Sequence, residues 1–366
     1  MSRMHQINSR QLMFILTGGQ VGTAMLALPA LLGKAAGQHA WVCILLGALV
    51  PLINLLVIEN LGKRHLGSNM VQMFQALMGK VAGTICILVF AFYLIGATTV
   101  LLGVFARLIQ LFLLPKTPLW VVVLLAMMCV IYAVSKGGRV VGRLNETLFF
   151  GLVLSMFFIV IPVYYSHDLT NLLPLGELDV GELLRGAFYT ITTFAGAEIL
   201  LVLYSQVDKP EEVKVAAMNA LGLSVATYLI VAICCLLVFG AERMARFTWP
   251  GVTILKIAHV PVIERFEFYF LAIWVGIVLR RVINPSFAAA LTLVQLFNME
   301  ERYNLLVLFL GVVVFVGAQF SPNTMGNQII WNYFAISYLS IGFTFPLVLL
   351  LISLLRKGTV KANAKA

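Results

Sequence analysis

Thr17-Gly18-Gly19-Gln20-Val21-Gly22-Thr23-Ala24, followed by Pro29, interrupts an otherwise apolar run near the N-terminus. A second stretch of the same character, Thr190-Ile191-Thr192-Thr193-Phe194-Ala195-Gly196-Ala197-Glu198, lies in the sixth apolar run, five runs further on. Each places small, flexible and polar residues near the middle of a segment long enough to cross a bilayer. Secondary transporters built from two inverted five-helix repeats break the first helix of each repeat at such a place. Small residues also let membrane helices pack closely, and for Gly18-Gly19 alone that explanation serves as well. Two interruptions in matching positions favour broken helices.

Around these stretches, apolar runs of about twenty residues recur between short polar segments. Each run can cross about 30 Å of hydrocarbon at 1.5 Å per residue. The runs are continuous rather than alternating, so they are helices and not strands of a barrel. Composition agrees: 61% of residues are apolar and 11% charged, against about a quarter charged in soluble domains. A water-soluble core is excluded. The expected spans are 12–31, 39–59, 81–105, 117–135, 145–165, 184–204, 216–240, 264–297, 304–320 and 332–355. The fold class is therefore an all-α integral membrane bundle of about ten helices, forming a single polytopic domain over residues 1–366. The eighth span contains Asn284-Pro285 and reads as one kinked helix, because a membrane proline is tolerated where neighbours satisfy the freed carbonyl. Residues 1–11 are polar and the first run continues at spanning length, which does not fit a cleavable signal peptide.

The formal charge of +10 calls for topology rather than nucleic acid. Lys and Arg divide roughly two to one between alternate connecting segments, which places both termini in the cytoplasm. The favoured side holds Arg3, Arg10, Lys63, Arg64, Lys80, Lys136, Arg139, Arg143, Lys209, Lys214, Arg302, Arg356, Lys357, Lys361 and Lys365; the loop 167–182 is acidic and exterior. Cys43, Cys86, Cys129, Cys234 and Cys235 fall inside apolar runs without metal spacing, as small buried hydrophobes do. The five histidines sit in expected loops or tails. No nucleophile–base arrangement, metal cluster or phosphate loop is visible, so no enzyme and no cofactor is expected.

At the two interruptions the chain resembles the amino acid–polyamine–organocation (APC) superfamily. Its first helix typically reads G-S-G-[IV]-F-x-x-P, a spacing followed here by Gly22-Thr23-Ala24-Met25-Leu26-Ala27-Leu28-Pro29, with Ala24 in place of a usual glycine. Its sixth typically reads F-x-G-[FV]-E, matched by Phe194-Ala195-Gly196-Ala197-Glu198. Within that superfamily the chain is most similar to the permease-like B subunits of bacterial spore germinant receptors. The similarity rests on Ile7-Asn8-Ser9-Arg10-Gln11, Lys136-Gly137-Gly138 leading to Arg143-Leu144-Asn145-Glu146, and Asn171-Leu172-Leu173-Pro174. It continues through Gly196-Ala197-Glu198-Ile199-Leu200, Lys209-Pro210, and Glu264-Arg265-Phe266-Glu267 with Trp274. The resemblance implies a five-plus-five inverted repeat (LeuT/APC-like) with helices one and six broken. It also implies a small-molecule nutrient ligand such as an amino acid, A-type and C-type receptor partners, and the spore inner membrane.

Unwinding at Gly22, Thr23 and Ala24 would free backbone N–H groups at the start of a half-helix, which suits a substrate carboxylate. Unwinding from Thr192 to Gly196 would free carbonyls for an ammonium group. Thr23, Thr192 and Thr193 add hydroxyls able to donate or accept. By resemblance Phe194 is a lid; ordinary packing explains it equally well. Glu198 is an acid inside a membrane helix and must be protonated, paired or beside water. It reads as a proton-responsive or polar-network residue, or else as a clip between helices. Arg280 and Arg281 offer a fixed cation where sodium-coupled relatives hold an ion on helix eight, or else snorkel to the headgroups. Glu146 is expected in the first turn of helix five. Tyr93, Thr98, Trp331, Asn332 and Tyr333 could line the cavity, and interfacial anchoring explains Trp331 and Tyr333 equally. Two function classes follow: a signalling receptor subunit, or an autonomous amino acid permease, proton-coupled and independent of sodium.

Overall fold

Asn8 starts the first helix. Its side chain accepts from the Gln11 N–H at 2.7 Å while the Gln11 side chain accepts from the Asn8 N–H at 3.2 Å, a reciprocal cap that satisfies two orphan donors. The helix that follows, α1 (Ser9–Gln20), stops at the glycine-rich stretch and resumes as α2 (Ala24–Ala36). The computed structural model describes residues 6–173, 179–258, 265–320, 333 and 335–356. Among them the chain continues through α3 (Ala40–Gly47), α4 (Leu49–Arg64), α5 (Met70–Met78), α6 (Lys80–Phe112), α7 (Leu119–Ser135) and α8 (Gly138–Tyr165). It then forms α9 (Val180–Thr193), α10 (Leu200–Leu203), α11 (Val213–Arg246), α12 (Pro250–Thr253), α13 (Phe266–Phe297), α14 (Tyr303–Gln319) and α15 (Thr344–Leu355). The one strand-like feature among the described residues is an isolated bridge between Ile7 and Val207.

Among the described residues these helices trace about ten passes when each broken or bent segment is counted once. Six segments are long and apolar enough to cross a membrane unaided, and the bent pair Val180–Thr193 with Ala197–Gln206 makes a seventh. One of the six, Ala24–Arg64, has 41 residues, about twice the bilayer thickness at 1.5 Å per residue. Gly37, at φ +54°, ends α2 within it, so this segment completes the first pass and supplies the second. The fourth pass, α7, has 17 residues, and the eighth, α13, carries Arg280 and Arg281 in its middle. The outer surface is apolar: Phe92 is 77% exposed, Tyr164 86% and Phe309 62%. Such a continuous apolar exterior needs lipid around it. The protein is a multi-pass membrane protein.

The broken passes sit at the centre. Helix α1 packs against α8, α11 and α13, while α2 packs against α9 and α11. One end of the bundle is tied together by contacts between distant segments. Ile7 donates its N–H to the Gln206 carbonyl at 3.0 Å and accepts from the Asp208 N–H at 3.0 Å. The Ser9 hydroxyl donates to the Glu212 carboxylate, and Arg10 pairs with Glu146 at 2.8 Å. Tyr303 donates to the Val134 carbonyl at 2.9 Å, and His65 and Ser353 share a buried hydrogen bond of 3.0 Å. This end collects most of the basic segments singled out by the charge pattern. At the other end Asp168 donates its N–H to the Leu237 carbonyl. The hydroxyl and N–H of Thr170 hold the Asp168 carboxyl below its ordinary range.

Several expected boundaries move. Helix α8 begins at Gly138, where Gly137 at φ +81° makes the turn, so Glu146 is in the third turn and not the first. Its partner is Arg10 rather than a helix dipole. The segment 65–79 is not all loop: a second reciprocal cap, Asn69 with Gln72, starts α5 there. Helix α13 runs unbroken through Asn284-Pro285 as one helix. Of the cysteines, Cys43, Cys234 and Cys235 are buried, Cys86 is half-buried and Cys129 is exposed on the apolar surface. His39 and His65 lie in connections between helices, as expected, and are buried there. Trp331 and Asn332, with Pro174, Glu264, His5, His259, Arg3, Lys357, Lys361 and Lys365, lie outside the described residues. Tyr333 is 67% exposed, which fits an anchor better than a cavity wall.

Candidate functional site at the two helix breaks

Both interruptions are breaks. The first runs over Val21, Gly22 and Thr23: Val21 leaves the helical region at φ −92°, ψ 124°, and Thr23 opens α2 without a side-chain cap. The second runs over Phe194, Ala195 and Gly196, where Gly196 adopts φ +119°. Its two halves meet at 44°. A left-handed residue here favours glycine on backbone grounds alone, and packing adds a second reason. A Cβ on Gly196 would stand 2.6 Å from the Gly19 carbonyl oxygen. The two broken helices therefore touch glycine to glycine, backbone against backbone.

Arg281 of α13 reaches across both breaks. Its Nη1 donates to the Gln20 carbonyl at 2.5 Å and to the Thr193 carbonyl at 3.1 Å, and its Nη2 to the Thr192 carbonyl at 3.4 Å. Tyr228 of α11 adds its hydroxyl to the same acceptors, 2.7 Å from Gln20 O and 3.3 Å from Thr193 O. The carbonyls expected to await a ligand ammonium are thus already occupied by a fixed cation. Gly22 makes room for it: a Cβ there would come within 2.5 Å of Arg281 Cδ. Snorkelling is corrected for both arginines, since Arg280 is 0% and Arg281 3% exposed. Neither forms an ion pair among the described residues. Arg280 donates to Ile277 O of its own helix at 3.3 Å and to Asn145 O at 3.4 Å.

Glu198 faces the second break from its own half-helix. Its Oε2 accepts from the Gly196 N–H at 2.7 Å, and its Oε1 accepts from the Tyr93 hydroxyl of α6 at 2.8 Å. It thereby fixes the glycine turn to a neighbouring helix. Thr192 and Thr193 turn their hydroxyls back onto Tyr189 O and Thr190 O, so their donors are engaged within α9. Phe194 is fully buried and meets the Tyr228 ring edge-on, with centroids 5.4 Å apart. Ala24 is the first residue of α2. Thr98 does not join this group. Its hydroxyl bonds to Leu94 O, and the residue lines a small apolar crevice between α6, α7, α13 and α14.

Three contributors escaped the sequence reading: Tyr228, Gln20 and the pair Asn145–Asn284. Asn145 Nδ2 donates to Asn284 Oδ1 at 2.8 Å, and Asn284 Nδ2 to the Ile15 carbonyl at 2.8 Å, which joins α8 and α13 to α1. The available signal was a polar side chain within an apolar run, which marks a functional position by default.

Two broken passes, five apart, enclosed by the other helices define a transporter-type membrane core. Solved structures carry the same fold. MhsT in complex with L-phenylalanine matches with a TM-score of 0.72 at 17% identity, over 95% of this chain and 89% of that one. The substrate-bound, outward-open Na+-coupled sialic acid symporter matches with a TM-score of 0.64 at 12% identity, over 95% and 78%. The fold is accordingly an APC/LeuT-like five-plus-five repeat. Residues 6–325 match the family described as spore germination protein, and the chain belongs to that family. Relatives include spore germination protein YndE of Bacillus subtilis (strain 168), 24% identical over 80% of this chain and 82% of that one. GerQB of Bacillus cereus is 25% identical over 85% and 86%, and spore germination protein A2 of Bacillus subtilis 22% identical over 97% and 98%.

Proposed function

We propose that this chain is the ligand-binding, permease-like subunit of a spore germinant receptor. A small nutrient, an amino acid by resemblance, would bind between the two breaks and bias their packing. That state would pass to A-type and C-type partner subunits. The observation that carries this reading is the direct backbone contact of the two breaks at Gly19 and Gly196, bridged by Arg281, in a chain of the spore germination family. A ligand entering there must separate or re-angle two half-helices, and such a rigid-body change is what a partner can read. Gly22, Thr23 and Ala24 would meet the ligand from helix one; Thr192, Thr193, Phe194 and Gly196 from helix six; Tyr93 and Glu198 would hold the turn beneath it. We place the charged, tied end of the bundle, with both termini, in the cytoplasm, and the whole of 1–366 in one domain of the spore inner membrane.

An autonomous permease is the second reading. Arg281 favours its sodium-independent form, since a tethered guanidinium already neutralises carbonyls at both breaks. Glu198 would then be its proton-responsive group.

The test is Gly22→Leu. The added side chain displaces Arg281 at Cδ and fills the break, so germination driven by this chain's nutrient should fall at least tenfold while the protein still accumulates in spore membranes. An unchanged nutrient dose-response in spores that hold the folded variant would remove the break from the ligand site.

A further inference from the structure

Two half-helices end at the breaks, and their last carbonyls converge. Gln20 is the final residue of α1 and Thr193 of α9. The last carbonyls of a helix have no intrahelical donor, and the dipole makes that end negative. Arg281 of α13 and Tyr228 of α11 bring donors from outside to both ends at once. The two donors are not equivalent.

The Arg281 guanidinium has several N–H groups and can serve several carbonyls, whereas a tyrosine hydroxyl has one hydrogen. At 2.7 Å from Gln20 O and 3.3 Å from Thr193 O, that hydrogen is shared between the half-helices. Sharing is possible only while both carbonyls lie within reach of one oxygen. The phenol is 1% exposed, meets the fully buried Phe194 of the second break edge-on, and belongs to a helix packed along α1 and α2. It therefore cannot follow both half-helices when they part, and at least one side of the bridge is lost. Neither carbonyl would be bare without it, because Arg281 Nη1 donates to both. The hydroxyl is not required to satisfy the backbone; what it adds is a tie between two moving parts.

We propose that the Tyr228 hydroxyl is a brake: it favours the closed packing of the breaks and sets the nutrient concentration at which they part. Tyr228 is on this account a positioning residue, acting through the two half-helices and not on the nutrient. The proposal rests on the reading of the breaks as the nutrient site. A bond made in the closed state and lost in the open one lowers the fraction of molecules competent to bind, and the apparent affinity falls with that fraction. Tyr228→Phe keeps the ring against Phe194 and removes the tie. The open fraction should then rise about fivefold, which is one hydrogen bond of about 1 kcal/mol at 1.4 kcal/mol per factor of ten.

Hydrogen exchange of the full chain in lipid nanodiscs reads that fraction without any nutrient, since exchange follows the population of locally opened states. In Tyr228→Phe, amides of residues 18–26 and 190–200 should exchange about fivefold faster, while α7 and α14, which pack on each other, keep the wild-type rate. Unchanged exchange at the breaks, or faster exchange throughout the chain, would overturn the proposal. Spores carrying each variant as the only copy of this chain are then tested with each standard amino acid over a concentration series. The amino acid that triggers wild-type spores should trigger Tyr228→Phe spores at about fivefold lower concentration. A requirement for a higher concentration would make the hydroxyl a nutrient contact and overturn the brake. Gly22→Leu in the same assay separates the two readings. A normal response there removes the break from the ligand site, whereas a lost response with no sensitisation by Tyr228→Phe removes the brake alone.

Discussion

Gly196→Val should leave almost no folded protein in the membrane, and Gly196→Ala should melt well below the wild type. At φ +119° a side chain adds backbone strain of roughly 1–2 kcal/mol. The new Cβ would also lie 2.6 Å from Gly19 O, 2.7 Å from Gly19 C and 3.1 Å from Gly19 Cα. These are backbone atoms of the other broken helix and cannot rotate away, so overpacking adds about 1–3 kcal/mol. The sum is a large part of the 5–15 kcal/mol that holds an ordinary domain together. Gly222→Ala is the control. Gly222 is inside α11 with nothing within 4 Å of its would-be Cβ, and alanine there should be neutral or stabilise by up to about 1 kcal/mol. Equal melting temperatures for the two alanine variants would show that the breaks do not pack as described.

Glu198→Gln carries the second large effect. The carboxylate accepts at both oxygens, from Gly196 N–H and from Tyr93 OH. An amide has one oxygen, so its NH2 would confront a donor and one of the two bonds is lost. Leaving a buried hydrogen-bond partner unsatisfied costs about 1–3 kcal/mol. The expected outcome is a nutrient response weakened at least tenfold, with the protein still folded because the amide keeps the shape. Tyr93→Phe, which leaves the Gly196 bond in place, should have a smaller effect. If Glu198 is also proton-responsive, the pH profile of germination will flatten in Glu198→Gln. An unaltered profile would leave Glu198 as a network residue alone.

What the sequence disclosed follows from the range of each interaction. The passes and the two breaks were readable because they depend on local composition: continuous apolar runs, and glycines with short polar residues at mid-span. Glu198 stood out because an acid in hydrocarbon needs a reason. The start of α8 was misplaced because Arg139 and Arg143 look like loop residues, whereas they lie in the charged first turns of a helix set off by Gly137. Helix α5 was hidden in a polar segment, where its Asn69–Gln72 cap was the available signal. Arg281 could not be placed at all. Its neighbours in sequence allow the headgroups or the interior, and the choice is made by Gln20, Thr192 and Thr193, carbonyls far away in the chain. Those carbonyls are held by a cation of the chain itself.

The central claim is that a nutrient binds between the breaks to signal rather than to cross. It is tested most directly by germinating spores with and without this chain on a labelled nutrient, while measuring uptake of the same label by the chain alone in proteoliposomes. The account predicts germination that requires the chain, is lost in Gly22→Leu, and is accompanied by no uptake above empty vesicles. Robust uptake by the lone protein, with germination unaffected by its removal, would contradict it.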